Sequence, residues 1–131
     1  MKTINKVLIA NRGEIACRII QTCRNMGIET VTLFTEGEEK LPHRYKSDEA
    51  LYLGGGPLHD TYLNQDKILQ LAEQVGADAI HPGYGFLSEN SSFARKVEKS
   101  KVLFVGPSPE SMELMGDKIA SKIKIEEIGA P

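Results

Sequence analysis

One stretch of ten residues combines the side chains and the backbone freedom that recognition of a small ligand requires. Residues 81–90, with the sequence HPGYGFLSEN, contain a histidine, a carboxylate, a tyrosine and two glycines. Glycine lets a backbone approach a ligand closely, and a tyrosine ring offers a flat apolar surface with a polar tip. We therefore expect a binding loop for a small heterocycle. His81 precedes a proline, and we expect it to hydrogen-bond to backbone rather than to catalyse.

A glycine-containing turn, Asn11–Ala16, follows the first apolar run and invites a dinucleotide-binding interpretation. The turn has one glycine where that fingerprint has three, and Glu14 would place a carboxylate against the pyrophosphate. We expect instead that Gly13 permits a tight strand-to-helix turn and that Glu14 complements the dipole of the following helix. The triple glycine at 54–56 lacks the Lys-Ser/Thr of a phosphate loop and precedes a proline, so it is predicted to be a flexible connector.

The elements that would position these residues alternate along the chain. Short apolar runs rich in β-branched residues predict strands near residues 6–10, 30–35, 50–53, 77–81 and 102–106. Apolar residues at helical spacing predict helices near 14–26, 64–75 and 90–99, and further helical segments from 108 and 117. Asn64 and Ser108 are expected to cap the helices that begin there. Strands joined by crossover helices form parallel sheets with helices on both faces. The predicted fold class is α/β: a doubly wound, mainly parallel five-stranded sheet that binds ligands at the carboxyl ends of its strands.

Size and composition narrow the classes of protein to which this chain can belong. Its 131 residues, 40% hydrophobic and 26% charged, suit one globular domain spanning residues 1–131. A formal charge of −2 argues against a general role on nucleic acid or on an anionic membrane. No apolar run approaches the ~20 residues that cross a bilayer, and no leader sequence is recognised, so we expect a cytoplasmic protein. Cys17 and Cys23 share one predicted helix and are expected to stay reduced.

Four short motifs, in a fixed order along nearly the whole chain, carry a resemblance to a known family. They are Ile9–Ala16, residues 81–90, Phe104–Pro107 and Met115–Lys118. Together they resemble the N-terminal domain of biotin carboxylases, a Rossmann-like domain that precedes an ATP-grasp domain. The loop at 81–90 is similar almost letter for letter. The resemblance implies that this chain is the first domain of such an enzyme, truncated before the ATP-grasp region.

That resemblance implies an ATP-dependent ligase within an acetyl-CoA, propionyl-CoA, methylcrotonyl-CoA, pyruvate or urea carboxylase. Such an enzyme uses ATP and Mg²⁺ to activate bicarbonate and carboxylates biotin on a carrier protein or domain, which then serves a carboxyltransferase component. By the same resemblance Lys118 contacts ATP phosphate, whereas Tyr84 and Gly85 line the biotin pocket with Glu89 as a supporting neighbour. The family's catalytic and metal-binding residues lie in the ATP-grasp region, so none is expected here. The 131-residue chain alone is therefore expected to be inactive.

Some features depart from the family or leave alternatives open. The sequence of residues 36–46 differs from the sequence expected in the family, and these residues are predicted to form a surface loop. Gln21 and Asn25 are neutral on a helix face where the family's homodimer contact tends to use charged residues, which argues against that dimer for this chain. Because fold alone does not fix function, two alternatives stand: a free-standing small-molecule-binding or regulatory α/β domain, and the N-terminal domain of another ATP-grasp ligase.

Overall fold

Five strands and four helices form the framework of the computed structural model, which describes residues 3–115. The strands are β1 Lys6–Ile9, β2 Glu29–Thr35, β3 Glu49–Gly54, β4 Ala79–His81 and β5 Leu103–Phe104. The helices are α1 Gly13–Asn25, α2 Pro42–Lys46, α3 Gln65–Gln74 and α4 Ser91–Glu98, with a 3-10 turn at Leu58–Asp60. Residues 109–115 are also helical, whereas the predicted segment from 117 lies outside the described residues.

The sheet has the order β3-β2-β1-β4-β5, and all four strand pairings are parallel. Leu8 lies opposite Val31 on one side of β1 and opposite Ile80 on the other. The chain therefore builds β2 and β3 outward from β1, then returns across the sheet to add β4 and β5. This confirms the predicted doubly wound α/β fold.

Alternate residues of β1 serve two cores, one on each face of the sheet. Val7 and Ile9 pack with Ala16 and Ile20 of α1. Leu8 points to the opposite face, where the larger core includes side chains of α3 and α4: Ile68, Ala72, Phe93 and Val97. Successive residues of a strand point to opposite faces. In a strand that is covered on both sides, every residue is therefore buried, and its sequence is a continuous apolar run. Helices on both faces were predicted from the alternation of strands and crossover helices, and the prediction is confirmed.

Polar residues begin three of the helices. The side chain of Asn64 accepts a hydrogen bond from the amide of Lys67 at 3.1 Å, and that of Asn90 accepts from Phe93 at 2.9 Å. The hydroxyl of Ser108 accepts from the amide of Ser111 at 3.1 Å, at the start of the helical residues 109–115. Each side chain satisfies an amide that has no partner within its helix, as the sequence predicted for Asn64 and Ser108.

The last two strands are shorter than the apolar runs that predicted them. β4 spans Ala79–His81, and the amide of Ala77 closes the end of α3 instead, donating to the carbonyl of Ala72 at 2.9 Å. β5 has two residues, although the amide of Val105 still donates to the carbonyl of Ile80 at 2.9 Å. Strand length here is set by how far the neighbouring strand extends, which an apolar run does not encode.

Residues 36–46 lie mostly at the surface, as predicted, but part of the segment is helical and two of its polar side chains are buried. They include the short helix α2, and within them Glu38 is 8% exposed and His43 is fully buried. The Nε2 atom of His43 lies 2.9 Å from the carbonyl oxygen of Leu33, and its Nδ1 accepts from the amide of Gly13 at 3.4 Å. These two polar side chains are buried because they have hydrogen-bond partners on β2 and at the start of α1, and a satisfied polar group can be buried.

Candidate functional site

The carboxyl ends of β1 and β4 lie side by side at the point where the strand order reverses. Ile9 pairs with His81, and the amide of Ala10 donates to the carbonyl of His81 at 2.9 Å. In doubly wound sheets, ligands bind in the crevice outside the strand ends at this switch point. The two loops that leave it, residues 11–13 and the ligand loop at residues 82–90, are therefore the candidate site.

Asn11 shapes the ligand loop from the neighbouring strand. It is 2% exposed, and its Nδ2 donates to the carbonyls of Pro82 at 2.9 Å and Tyr84 at 2.7 Å. Its Oδ1 accepts from the amide of Arg12 at 2.8 Å. The side-chain amide has two donor hydrogens, and both bind carbonyls of the ligand loop, whereas its oxygen binds the backbone of the turn that contains Asn11. Asn11 thereby fixes the ligand loop relative to the end of β1. Asn11 belongs to the family motif Ile9–Ala16, but no role was predicted for its side chain.

The backbone of the ligand loop adopts conformations that favour glycine. Gly83 has φ +67° and Gly85 has φ +70°. A Cβ atom at Gly83 would lie 2.7 Å from Nδ2 of Asn11, so this position requires glycine for space as well as for conformation. A Cβ atom at Gly85 would meet nothing within 4 Å. The backbone at Gly85 is therefore open to an approaching molecule.

The loop divides into anchored and accessible residues. Leu87 is 1% exposed and belongs to the larger core, and Pro82 is also buried. Tyr84 is 76% exposed, and Gly85 and Glu89 are exposed as well. The structure thus places all three residues of the expected biotin pocket on the accessible side of one anchored loop. Lys118, the expected ATP-phosphate ligand, lies outside the described residues.

An apolar cavity of about 460 Å³ lies beside Tyr84, on the face of the sheet that α1 covers. Its size falls within the range of about 300–1,000 Å³ that small-ligand sites occupy. Polar side chains at the cavity come from Arg18, Thr22, His81 and Tyr84. Most of the lining is aliphatic: Ile4, Val7, Ile15, Ile19, Met26, Ile28 and Val105.

The imidazole of His81 supports the backbone of the ligand loop. Its Nδ1 lies 3.1 Å from the amide nitrogen of Gly83 and accepts the hydrogen bond. Burial lowers the pKa of His81, so the ring is neutral at pH 7 and can act as this acceptor. The expected hydrogen bond from backbone to His81 is confirmed. The ring shapes the first turn of the loop and supplies no positive charge.

The first turn of α1 also follows its prediction. Gly13 has φ +65° at the junction of strand and helix, and Glu14 is the acidic residue of the first helical turn. No side chain caps this helix, because the N-cap position is occupied by Arg12. The carboxylate of Glu14 therefore complements the helix dipole, and the glycine permits the tight turn.

Glu38, which follows β2, is a buried carboxylate that the sequence analysis missed. Its Oε1 accepts from the amide of Thr35 and from the hydroxyl of Tyr62, each at 2.8 Å. Burial alone would raise the pKa of Glu38, but hydrogen bonds from Thr35, Tyr62 and Arg12 together hold that pKa below its ordinary value. Burial, followed by the bond to Glu38, raises the pKa of Tyr62. At neutral pH the pair therefore consists of an ionised carboxylate and a protonated phenol.

The outer face of α1 carries the two neutral residues that argued against the family's dimer. The side-chain amide of Gln21 donates to Oδ1 of Asn25 at 3.0 Å, and both residues are exposed.

Cys17 and Cys23, on the same helix, are free thiols, as expected. Within residues 3–115, no group of three or more His, Cys, Asp and Glu side chains could hold a metal ion. No helix in that same stretch is long and apolar enough to span a membrane.

A parallel, doubly wound sheet with a glycine-containing loop at its switch point defines the class of α/β domains that bind small ligands at the strand ends. Comparison with known sequences then defines the family. The sequence model described as "Biotin carboxylase, N-terminal domain" matches residues 3–112, and the chain belongs to this family.

Individual relatives agree with the family. The small subunit of 2-oxoglutarate carboxylase from Hydrogenobacter thermophilus is 52% identical over 96% of this chain, and the biotin carboxylase of Allochromatium vinosum is 49% identical over 98%. A crystal structure of the dimeric biotin carboxylase domain of the H. thermophilus enzyme, in complex with MgADP, ADP and bicarbonate, superposes on all of this chain with a TM-score of 0.87 and 50% identity. This chain spans 26–28% of the length of the first two relatives and 29% of that structure.

Proposed function

We propose that this domain is part of a biotin carboxylase, the ATP- and bicarbonate-dependent ligase that carboxylates biotin on a carrier protein. The observation that carries the proposal is the ligand loop, on which Tyr84, Gly85 and Glu89 are exposed while Asn11 and Leu87 hold the loop in place. A rigid loop that presents an aromatic ring and open backbone is suited to a small planar molecule. Membership of the biotin carboxylase family supports biotin as that molecule.

The chemistry of the ligand fits the residues of the loop. Biotin has a compact bicyclic ring with a polar ureido edge, and its N1 atom accepts the carboxyl group. The exposed ring of Tyr84 would cover the apolar face of this bicycle, and the backbone of Gly85 would meet its polar edge without hindrance from a side chain. Glu89, farther along the loop, is the supporting neighbour. Lys118 would contact the phosphates of ATP as a point charge.

The same proposal includes partners and surroundings. A biotin carboxyl carrier protein or domain brings the biotin, bicarbonate supplies the carboxyl group, and a carboxyltransferase component consumes carboxybiotin. We propose a cytoplasmic location, without nucleic acid or membrane as partner. We also propose that the hydrogen-bonded pair Gln21–Asn25 weakens the homodimer contact usual in the family, because neutral side chains replace charged ones on this face of α1.

Two substitutions in the full-length carboxylase that contains this domain test the roles of Tyr84 and Lys118. Tyr84→Ala is expected to raise the KM for biotin several-fold, because loss of one aromatic contact costs roughly 1 kcal/mol beyond its area. The biotin-independent hydrolysis of ATP should change little. Lys118→Ala is expected to raise the KM for ATP instead, since a positioned cation is removed from the phosphates.

Steady-state phosphate release, measured with biotin and ATP varied separately, distinguishes the two variants. Tyr45→Ala is the matched control, because Tyr45 is 65% exposed but lies on α2, away from the ligand loop. An equal shift of both KM values in both variants would contradict the separate roles and would indicate general destabilisation of the domain.

A further inference from the structure

Four side chains meet at the ligand loop, and each comes from a segment that follows a different strand of the sheet. Arg12 follows β1, Glu38 follows β2, Tyr62 lies between β3 and α3, and Phe86 belongs to the ligand loop after β4. Since these strands are parallel, all four segments belong to the carboxyl edge of the sheet. We call Arg12, Glu38 and Tyr62 the brace.

The members of the brace contact one another through a charged and aromatic network. The guanidinium of Arg12 pairs with Oε2 of Glu38 at 3.3 Å, while the hydroxyl of Tyr62 donates to Oε1 at 2.8 Å. The Tyr62 side chain is fully buried, and the carboxylate of Glu38 is nearly so. A charge-assisted hydrogen bond in such surroundings is stronger and more directional than one in water.

Two members of the brace, Tyr62 and Arg12, contact the ring of Phe86. The rings of Tyr62 and Phe86 stack with centroids 5.0 Å apart and an interplanar angle of 15°. The guanidinium of Arg12 lies 5.4 Å from the centroid of each ring. Glu38 therefore fixes both groups that hold Phe86, the cation through one carboxylate oxygen and the phenol through the other.

Phe86 needs such support because of its backbone. Its φ is +43°, the left-handed region that a bulky residue seldom adopts, and it is the single non-glycine residue with positive φ among residues 3–115. Strained residues of this kind persist when their surroundings determine the conformation, and they are common at ligand sites. Phe86 lies two residues after Tyr84, so its backbone conformation sets the direction in which the loop presents Tyr84 and Gly85.

We propose that Arg12, Glu38 and Tyr62 are positioning residues for biotin: they touch no substrate, but they hold Phe86 in its left-handed conformation and so keep the ligand loop ready to bind. This inference rests on the proposed function for the identity of the ligand. The brace itself stands on the contacts of Phe86, and its effect on the loop can be measured without any ligand.

Two conservative substitutions each cut one link of the brace. Glu38→Gln keeps an oxygen for the Thr35 amide and the Tyr62 hydroxyl, but it turns an amide group toward the Arg12 guanidinium. Tyr62→Phe keeps the ring stacked on Phe86 and removes the hydroxyl that reaches Glu38. Glu39→Gln and Tyr52→Phe are the matched controls, because both residues are exposed and their side chains contact Gly37 and Phe34, which lie outside the ligand loop.

The kinetic arm uses the full-length carboxylase with free biotin as the probe. Glu38→Gln and Tyr62→Phe are each expected to raise the KM for biotin about three- to tenfold, with the KM for ATP in biotin-independent hydrolysis within about twofold of the parent. The double variant should be less than additive, because both changes act on one coupled network. Equal shifts for ATP and biotin, strict additivity, or an unchanged KM for biotin in folded variants would overturn the proposal.

Hydrogen exchange of the unliganded protein tests the brace independently of activity. The amides of Ser88 and Asn90 donate to Gly85 and Leu87 within the loop, at 2.9 and 3.2 Å. They should exchange at least about threefold faster in both brace variants and at the parent rate in both controls. Unchanged exchange would refute the brace. Faster exchange, in an enzyme whose parent form shows no biotin-stimulated phosphate release, would keep the brace and refute the proposed function instead.

Discussion

At the scale of single residues, Asn11 does more for the site than its place in a turn suggests. Its side chain makes three hydrogen bonds. It donates two of them to carbonyls of the ligand loop, 71 and 73 positions away, and accepts the third from the amide of Arg12. With 2% of the residue exposed, water cannot replace these bonds. The turn after β1 and the loop after β4 are thereby joined into one unit, with Tyr84 held at its backbone while its ring stays accessible.

Asn11→Ala is expected to lower the free energy of unfolding by about 1–3 kcal/mol, because two carbonyls, that of Pro82 buried and that of Tyr84 partly buried, and one amide lose their partner. In the full-length enzyme it should also raise the KM for biotin, since the backbone of Tyr84 is no longer held. Denaturant unfolding and steady-state kinetics provide the two measurements. Asn5→Ala, at an exposed residue of the same type, is the control. A parent-like stability for Asn11→Ala would contradict this account of the loop.

At the scale of elements, the helices of the larger core have capped starts and the helix of the opposite face does not. Asn64 and Asn90 cap α3 and α4, whereas α1 begins at Arg12 without a side-chain cap. The side chain of Arg12 instead reaches Glu38 at the strand ends. The position that would ordinarily stabilise α1 locally thus contributes a residue to the brace, and α1 is held by the packing of Ala16, Ile20 and Cys23 on the sheet.

Asn64→Ala and Asn90→Ala are each expected to lower the free energy of unfolding by about 1 kcal/mol, the usual cost of losing an N-cap side chain. The two variants should differ in function. Asn90 ends the ligand loop, so its loss should also weaken biotin use, whereas Asn64 lies outside that loop. Asn25→Ala, at the exposed end of α1, should change stability by less than about 0.5 kcal/mol. Equal effects of Asn64→Ala and Asn90→Ala on the KM for biotin would count against the link between cap and loop.

At the scale of the whole molecule, this chain has two packed hydrophobic cores although it spans just over a quarter of the length of its relatives. Both faces of the sheet are packed by residues within 3–115: Val7 and Ile9 on one face, Leu8 and Ile80 on the other. Two packed faces around a five-stranded sheet meet the usual requirement for independent stability, so we expect this domain to fold on its own. The relatives that carry the activity in their names are about four times as long.

The purified 131-residue chain is therefore expected to unfold cooperatively but to release no phosphate from ATP in the presence of bicarbonate and biotin. The physical reason is that the residues described here provide a binding loop and its supports, whereas activation of bicarbonate also requires groups that hold ATP and Mg²⁺. Thermal unfolding followed by circular dichroism tests the first part. A coupled phosphate assay, with the full-length enzyme as positive control, tests the second. Bicarbonate-dependent phosphate release by the short chain would contradict the prediction.

Local patterns in the sequence determined the sheet, the helices that cover it and the position of the ligand loop. The apolar run of β1 predicted a buried strand, which is apolar throughout because both of its faces are covered. Asn64 and Ser108 predicted helix starts because a cap acts within three residues of itself. The motif at 81–90 indicated the family, and it is the basis of the candidate site. Each of these signals lies within about ten consecutive residues, the range over which spacing and residue type carry information.

The tertiary structure alone decided which polar residues are buried and what holds the ligand loop. Tyr62 reaches Glu38 across 24 positions, and Asn11 reaches Tyr84 across 73. His43 is buried because its two ring nitrogens meet Leu33 and Gly13, neither of which lies near it in sequence. Burial of a polar side chain depends on partners that arrive from other strands, and the free energy that makes burial favourable exists only after those strands have come together.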